Sequence, residues 1–271
     1  MMSIPAGAGA LDYTPCCYGS ARSVFRGPEC DLSGPYLAML GGSVTFGKYV
    51  PQPFPALVEK ALALPVANLA MPQGGPDAWL ADPVALRIAA RARLAVVQVT
   101  GAEGLSNPLY RVHSRRNDRV LGPTPALRAL YPDLDLTEIH FTRHLVQVLQ
   151  RQDPARFAEA VTILRETWRS RMLQVLTALP DVLVLWLVAE DAAQDPLFID
   201  RALVDSLRPH ARVLALRTSA AARAAGTTGM IFPETEAQQA ACLPGPAAHA
   251  EIAAALAGAI RAQLEMATGA A

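Results

Sequence analysis

The sequence predicts an α/β fold: a doubly wound, parallel five-stranded sheet of flavodoxin-like type with an inserted helical hairpin. Three observations lead there. Short aliphatic runs of strand length alternate with segments whose apolar residues recur at helical spacing. The first run ends in the glycine pair Gly41-Gly42, and the alternation breaks once, mid-chain, where two helical segments follow each other. Such alternation implies a parallel sheet covered on both faces, with strands apolar nearly throughout.

Residues 1–35 carry Gly, Pro, Ser and Cys without a sustained period, and Arg26-Gly27-Pro28 is a turn signal. This stretch reads as a leader packed on a single domain spanning 36–271. Tyr36–Leu40 is the first strand. After a proline-rich turn, Phe54–Leu64 sets Leu57, Val58, Ala61 and Leu62 at helical spacing. Pro65–Ala70 then reads as a strand, Pro76–Ala92 as a helix and Leu94–Val99 as a third strand. Thr100–Pro125 is a polar loop, longer than the roughly 12–15 residues usual without a functional reason. Two helices follow, Thr137–Gln152 with Thr137 as N-cap and Pro154–Leu179, separated by Asp153-Pro154. They make the helical insertion of residues 125–179. The alternation resumes with strand Asp181–Ala189, helix Phe198–Leu207, strand Arg212–Leu216 and a short helix at Ala220. A run Met230–Phe232 would add a sixth strand, and an alanine-rich helix, Pro246–Met266, closes the pattern.

Composition narrows the function. Lys+Arg and Asp+Glu both total 24, so the chain has no single-sign excess for phosphate backbones, and nucleic acid is not an expected partner. Its 52% hydrophobic content sets it apart from disordered chains. The apolar stretch Val182–Ala189 is far short of the roughly 20 residues of a membrane span, and no basic start precedes the apolar N-terminal residues, so a cytoplasmic protein is expected. The cysteines Cys16, Cys17, Cys30 and Cys242 are too few and too unevenly spaced for a disulfide framework or a structural zinc site. There is neither a Gly-x-x-x-x-Gly-Lys-Ser/Thr phosphate loop nor a Gly-x-Gly-x-x-Gly turn, so no nucleotide cofactor is implied, and no cofactor is expected.

In an open parallel sheet, ligands bind beyond the carboxyl ends of the strands. There the run Leu40-Gly41-Gly42-Ser43-Val44-Thr45-Phe46-Gly47 presents Ser43 at the tip of a glycine turn. It resembles the first sequence block of the SGNH (GDSL-like) hydrolase superfamily, Gly-Asp-Ser-x-Thr-x-Gly, with Gly42 where that superfamily has aspartate. The resemblance continues in Phe54–Glu59 and in Val66-Ala67-Asn68-Leu69-Ala70, which is similar to the Asn-Leu-Gly of the second block. Its oxyanion-hole glycine maps onto Gly74 or Gly75. In the third block the glycine is present as Gly101 and the asparagine is absent, with Asn107 a few residues on as a substitute. The segment Leu243–Ala253 resembles the closing block. The usual catalytic histidine falls on Leu243, its aspartate on Ala240, and the helix-entry histidine on His249. The chain also resembles, over nearly its full length, an uncharacterised family common in alphaproteobacteria. The shared residues are Leu-Asp-Tyr near the start, the Arg-Gly-Pro turn, the Gly-Gly-Ser-like turn and Arg115-Arg116-Asn117-Asp118-Arg119; some members carry threonine where Ser43 stands.

A serine attacks a carbonyl only when a base takes its proton and donors hold the oxyanion. His249 is the candidate base, and Glu234 or Glu236 could orient it. The alternative is that Ser43 only shapes the turn and His249 only caps a helix. The segment Tyr110–Arg119 holds four arginines in the nine residues from Arg111. Arginine forks bind carboxylate, sulfate or phosphate bidentately, so Arg115 and Arg116 are candidate anion contacts, with His113 as an acid or base. The alternative is a solvated loop whose arginines pair with Asp118 and other acids. His140 and His144 lie four apart on an expected helix, which is metal-ligand spacing, but no third ligand is indicated and no metal is expected. Trp168 and Met172 read as a core stripe.

The resemblance implies a serine hydrolase or acyl transferase acting on an ester or O-acyl group of a small anionic or carbohydrate substrate. Ser43, His249 and Glu236 would be catalytic, with Gly42, Gly74, Asn107, His113, Arg115 and Arg116 binding substrate. Two other readings stand beside it: a sulfotransferase-like group-transfer enzyme using the arginine loop, and a non-catalytic binding protein derived from the hydrolase fold. A small molecule is the expected partner, and homo-oligomerisation stays open.

Overall fold

A computed structural model describes residues 10–190 and 196–269. Five strands form one parallel sheet: β1 (Leu37–Leu40), β2 (Val66–Asn68), β3 (Leu94–Gln98), β6 (Val182–Leu187) and β7 (Arg212–Leu216), in the order β2-β1-β3-β6-β7. This is the doubly wound, flavodoxin-like arrangement that the alternation predicts. Five strands match, and Met230–Phe232 adds no sixth.

Period-2 alternation along the strands divides the core between two faces. Leu37 and Met39 of β1, Leu94 and Val96 of β3, and Leu183 and Leu185 of β6 face α2 (Phe54–Leu62) and the closing helix α11 (Pro246–Gly269), which supplies Ile252, Leu256 and Ile260. Ala38 and Leu40, Ala95 and Val97, and Val184 and Trp186 face the other layer. That layer includes α4 (Pro83–Arg91), α7 (Pro154–Thr177) and α8 (Arg201–Asp205). Trp168 and Met172 are fully buried there, the core stripe their spacing indicates.

Local chemistry explains where elements differ from the sequence reading. The expected helix over 76–92 is two helices, α3 (Pro76–Leu80) and α4, because Asp82 caps the second by accepting the Ala85 N–H, with Pro83 at its first position. Helix α6 runs Thr142–Gln152 and so starts five residues late. The Thr137 N–H and hydroxyl both turn to the Asp135 carboxylate, an Asx-type turn in place of a helix cap. Asp153 does cap α7, accepting from Ala155 and Arg156 N–H. Between the third strand and the helical pair the expected loop holds a β-hairpin, β4 (Tyr110–His113) with β5 (Arg116–Pro123), followed by α5 (Pro125–Leu130). Short helices α1 (Ser43–Phe46), α9 (Ala220–Ala224) and α10 (Ala237–Ala241) complete the chain.

The segment ahead of β1 is tied down along its described length. Asp82 accepts from the Arg22 and Ser23 N–H groups, and the buried Arg26 guanidinium donates to the carbonyls of Phe46, Gly47 and Pro51. No helix among the described residues is long and apolar enough to cross a membrane.

Candidate functional site around the Ser43 turn

The strand order reverses between β1 and β3: the chain leaves β1 for β2 on one side and returns to β3 on the other. The crevice beyond the carboxyl ends of these two strands is the switch point where doubly wound sheets bind ligands. Gly41-Gly42-Ser43 follows β1 there, and Thr100 lies two residues past β3.

The turn is fixed from below by Gln98, the last residue of β3. Its buried Oε1 accepts three hydrogen bonds, from Gly42 N–H (3.2 Å), Thr45 N–H (3.2 Å) and Thr45 Oγ1–H (2.6 Å). A side chain at position 41 has no room, since a Cβ on Gly41 would collide with Thr45 Oγ1 and come within 2.7 Å of Gln98 Oε1. Ser43 opens α1, is partly exposed, and its Oγ accepts the Gln73 N–H at 3.0 Å. One lone pair is thus held, while the hydroxyl proton has no acceptor among the described residues.

From Gln73 the network runs to the hairpin. Asn117, buried at the start of β5, donates its N–H to Gln73 O (3.1 Å), and its Oδ1 accepts the Gly75 N–H (2.9 Å). Asn117 Nδ2 donates to His113 O, which locks the hairpin turn to the same point. Two hydrogen bonds through Gln73 therefore separate the Ser43 hydroxyl from the residue that follows Arg116. Gly42, Gly75 and Thr100 pack together: a Cβ on Gly75 would lie 3.0 Å from Thr100 Oγ1, and one on Gly42 3.6 Å from Thr100 Cγ2.

Other residues expected to serve this site have partners of their own. His249 is 1% exposed, stacks on Phe54 (5.6 Å between rings), and its Nδ1 accepts the Phe54 N–H at 3.0 Å. Burial, with Arg26 adding to it, pushes its imidazole down to about 3 from the usual 6.5. Ser43 and His249 thus have separate partners, and no hydrogen bond joins them among the described residues. A buried imidazole so hard to protonate is a poor proton acceptor for a serine. Glu236 does not orient His249 either. Its carboxylate accepts from the Tyr49 hydroxyl and pairs with Lys48 at 3.3 Å, and these two hold it below the usual carboxylate range.

The expected backbone donors are likewise engaged. Gly42 N–H goes to Gln98, Gly74 N–H to Met71 O and Gly75 N–H to Asn117. Asn107 is buried in its own turn, with Oδ1 accepting from Leu109 and Tyr110 and Nδ2 donating to Leu105 O, so Asn117 is the asparagine that reaches the glycine loop. His113 closes the hairpin, its Nδ1 accepting from Arg115 and Arg116 N–H. Arg115 reaches the Arg22 carbonyl at 3.3 Å and Arg119 lies over Phe141, while Arg111, Arg115, Arg116 and Arg119 are all exposed. None of the four makes an ion pair among the described residues, and Asp118 keeps a buried oxygen without a hydrogen bond in place of neutralising them. His140 precedes α6 and His144 lies within it, so they do not share a helix, and no group of three metal-ligating side chains occurs among the described residues. The four cysteines are free.

Gln98, Asn117 and Thr100 are the site residues that sequence reasoning passed over. A glutamine closing an otherwise aliphatic strand was the available signal for Gln98. Asn117 and Thr100 became recognisable only when the hairpin and the glycine loop were seen in contact. A family model described as a domain of unknown function (DUF6473) matches residues 1–264. No curated protein matches the chain.

Proposed function

We propose that this chain, which belongs to the DUF6473 family, binds a small oxyanion-bearing molecule at the switch-point crevice, with Ser43 as a hydrogen-bond donor. The observation that carries this reading is the Ser43–Gln73–Asn117 hydrogen-bond chain, which fixes the arginine hairpin beside a serine whose proton is free to donate. Carboxylate, sulfate and phosphate groups suit such a rim, because arginines without carboxylate partners among the described residues are available to a ligand. Of the readings open from sequence, a binding protein built on a hydrolase-like sheet needs no base at Ser43. A serine hydrolase or acyl transferase needs one, and His249 is committed to Phe54.

The test is a calorimetric titration with acetate, sulfate and inorganic phosphate, run beside a fluorophosphonate labelling assay. Saturable binding of at least one anion, weakened in Ser43→Ala and in Arg116→Ala, with Ser43 unlabelled, is the expected result. Covalent labelling that disappears in Ser43→Ala would restore the hydrolase reading. Binding of a sulfated or phosphorylated donor with turnover that survives Ser43→Ala would point to group transfer through the arginines.

A further inference from the structure

We propose that the Thr100 hydroxyl is a second ligand-contacting group of this crevice and shares with Ser43 the recognition of an anion's oxygen. The inference deepens the anion-binding reading and rests on it. Thr100 Oγ1 is buried, yet it has no hydrogen-bond partner among the described residues. A buried hydroxyl without a partner costs about 1–3 kcal/mol, so native structures retain few of them without a reason. Here the surroundings are specific. The residue follows the strand across the switch point from β1, and its side chain rests against Gly42 and Gly75, the two glycines that flank the Ser43 turn and the Gln73 loop. Its position is held from behind, because Trp168 Nε1–H donates to the Thr100 carbonyl at 2.8 Å. Neither glycine brings a side chain between Thr100 and the turn, and a Cβ at either position would press on the threonine or on the Gly74 carbonyl. Ser43 and Thr100 are thus two hydroxyls just beyond the two strands that bound the crevice, each with a proton that no described protein atom accepts. An anion oxygen, a strong acceptor, satisfies both, whereas a cation offers them nothing to donate to.

Thr100→Val removes the hydroxyl at nearly constant shape, and Thr100→Ser keeps it. With sulfate as probe, titration should show affinity in Thr100→Val reduced by about tenfold or more, the effect of losing a hydrogen bond to a charged group, and Thr100→Ser should bind nearly as wild type. In the absence of sulfate, Thr100→Val should melt at or up to several degrees above wild type, because no hydrogen bond among the described residues is lost and the cost of an unpartnered hydroxyl is relieved. A Thr100→Val melting point several degrees below wild type would show that the hydroxyl serves the fold and would overturn the assignment. So would sulfate affinity unchanged in Thr100→Val while wild type binds. Wild-type protein that takes up none of sulfate, acetate or phosphate would instead overturn the anion-binding reading, and this assignment with it.

Discussion

Acidification should destabilise this protein in large part through His249. The imidazole sits 1% exposed against Phe54 at the start of α2, accepts the Phe54 N–H through Nδ1, and titrates at about 3 in the folded chain against 6.5 when exposed. Its folded value is depressed, so between these limits the unfolded chain binds a proton that the folded chain refuses. Stability from this group is complete above about pH 6.5 and falls as pH drops toward 3. By pH 4.5 the gap amounts to about two pH units, or about 3 kcal/mol at 1.36 kcal/mol per unit, a substantial share of the roughly 5–15 kcal/mol that holds a domain together. Urea denaturation of wild type and His249→Asn at pH 7.5 and 4.5 measures it. Asparagine can still accept from Phe54 but does not titrate, so the variant should be less stable at pH 7.5 from lost ring packing and lose far less on acidification. Carboxylates held low in the fold, such as Glu236 and Glu251, contribute to both proteins and cancel in the comparison. Parallel pH slopes for the two proteins would refute the argument and return His249 to the pool of accessible bases.

Gln98→Leu strips one acceptor from three donors in the buried turn and should cost about 3 kcal/mol or more in urea unfolding, with Gln98→Glu recovering part of it because a carboxylate still accepts. Asn117→Ala should release the hairpin from the Gln73–Gly75 loop, seen as faster amide hydrogen exchange across residues 110–123 at a stability cost of about 1–3 kcal/mol; unchanged exchange would remove the hairpin from the site. Arg26→Gln should lower stability, since three carbonyls lose a charged donor, and should raise the His249 pKa measured by NMR, because the neighbouring cation is gone.

The sheet was legible because parallel strands buried on both faces must be apolar nearly throughout, and β1, β3 and β6 are, so their positions and the glycine turn after β1 follow from the residues alone. The helix starts set by Asp153 and Pro154 were legible for the same kind of local reason. The hairpin was not. Arg111 to Arg119 is polar at almost every position, and it is held to the glycine loop by a contact that no local pattern announces, Asn117 on Gly75. The site shows the same division. Ser43 at the tip of its turn is local information and is where it was expected. The partnership of Ser43 with His249 is a statement about distance between residues 206 apart in sequence (249 − 43), and composition at each end does not constrain it. Burial decided it: His249 is a small-looking polar residue at the start of an alanine-rich helix, and that helix buries its first turns against α2.

One charge bears both on His249 and on the proposed ligand. Arg26 is buried and makes no ion pair among the described residues; its guanidinium is held by the Phe46, Gly47 and Pro51 carbonyls and lies 5.2 Å from the Tyr13 ring. Two of those carbonyls end the short helix that Ser43 begins, and four residues of helix span only about 6 Å, which puts a fixed positive charge within about 10 Å of the turn. At that separation and an effective dielectric of about 20, a unit charge contributes about 2 kcal/mol, with a sign that depends on what it meets. Toward His249 it opposes the imidazolium that a serine's base must become, adding to the larger depression that burial causes. Toward a sulfate or carboxylate at Ser43 and Thr100 it is attractive, and the exposed arginines of the hairpin act in the same direction. A field of this sign works against proton transfer to His249 and in favour of anion capture, so neutralising Arg26 should weaken sulfate binding even though Arg26 itself faces the core.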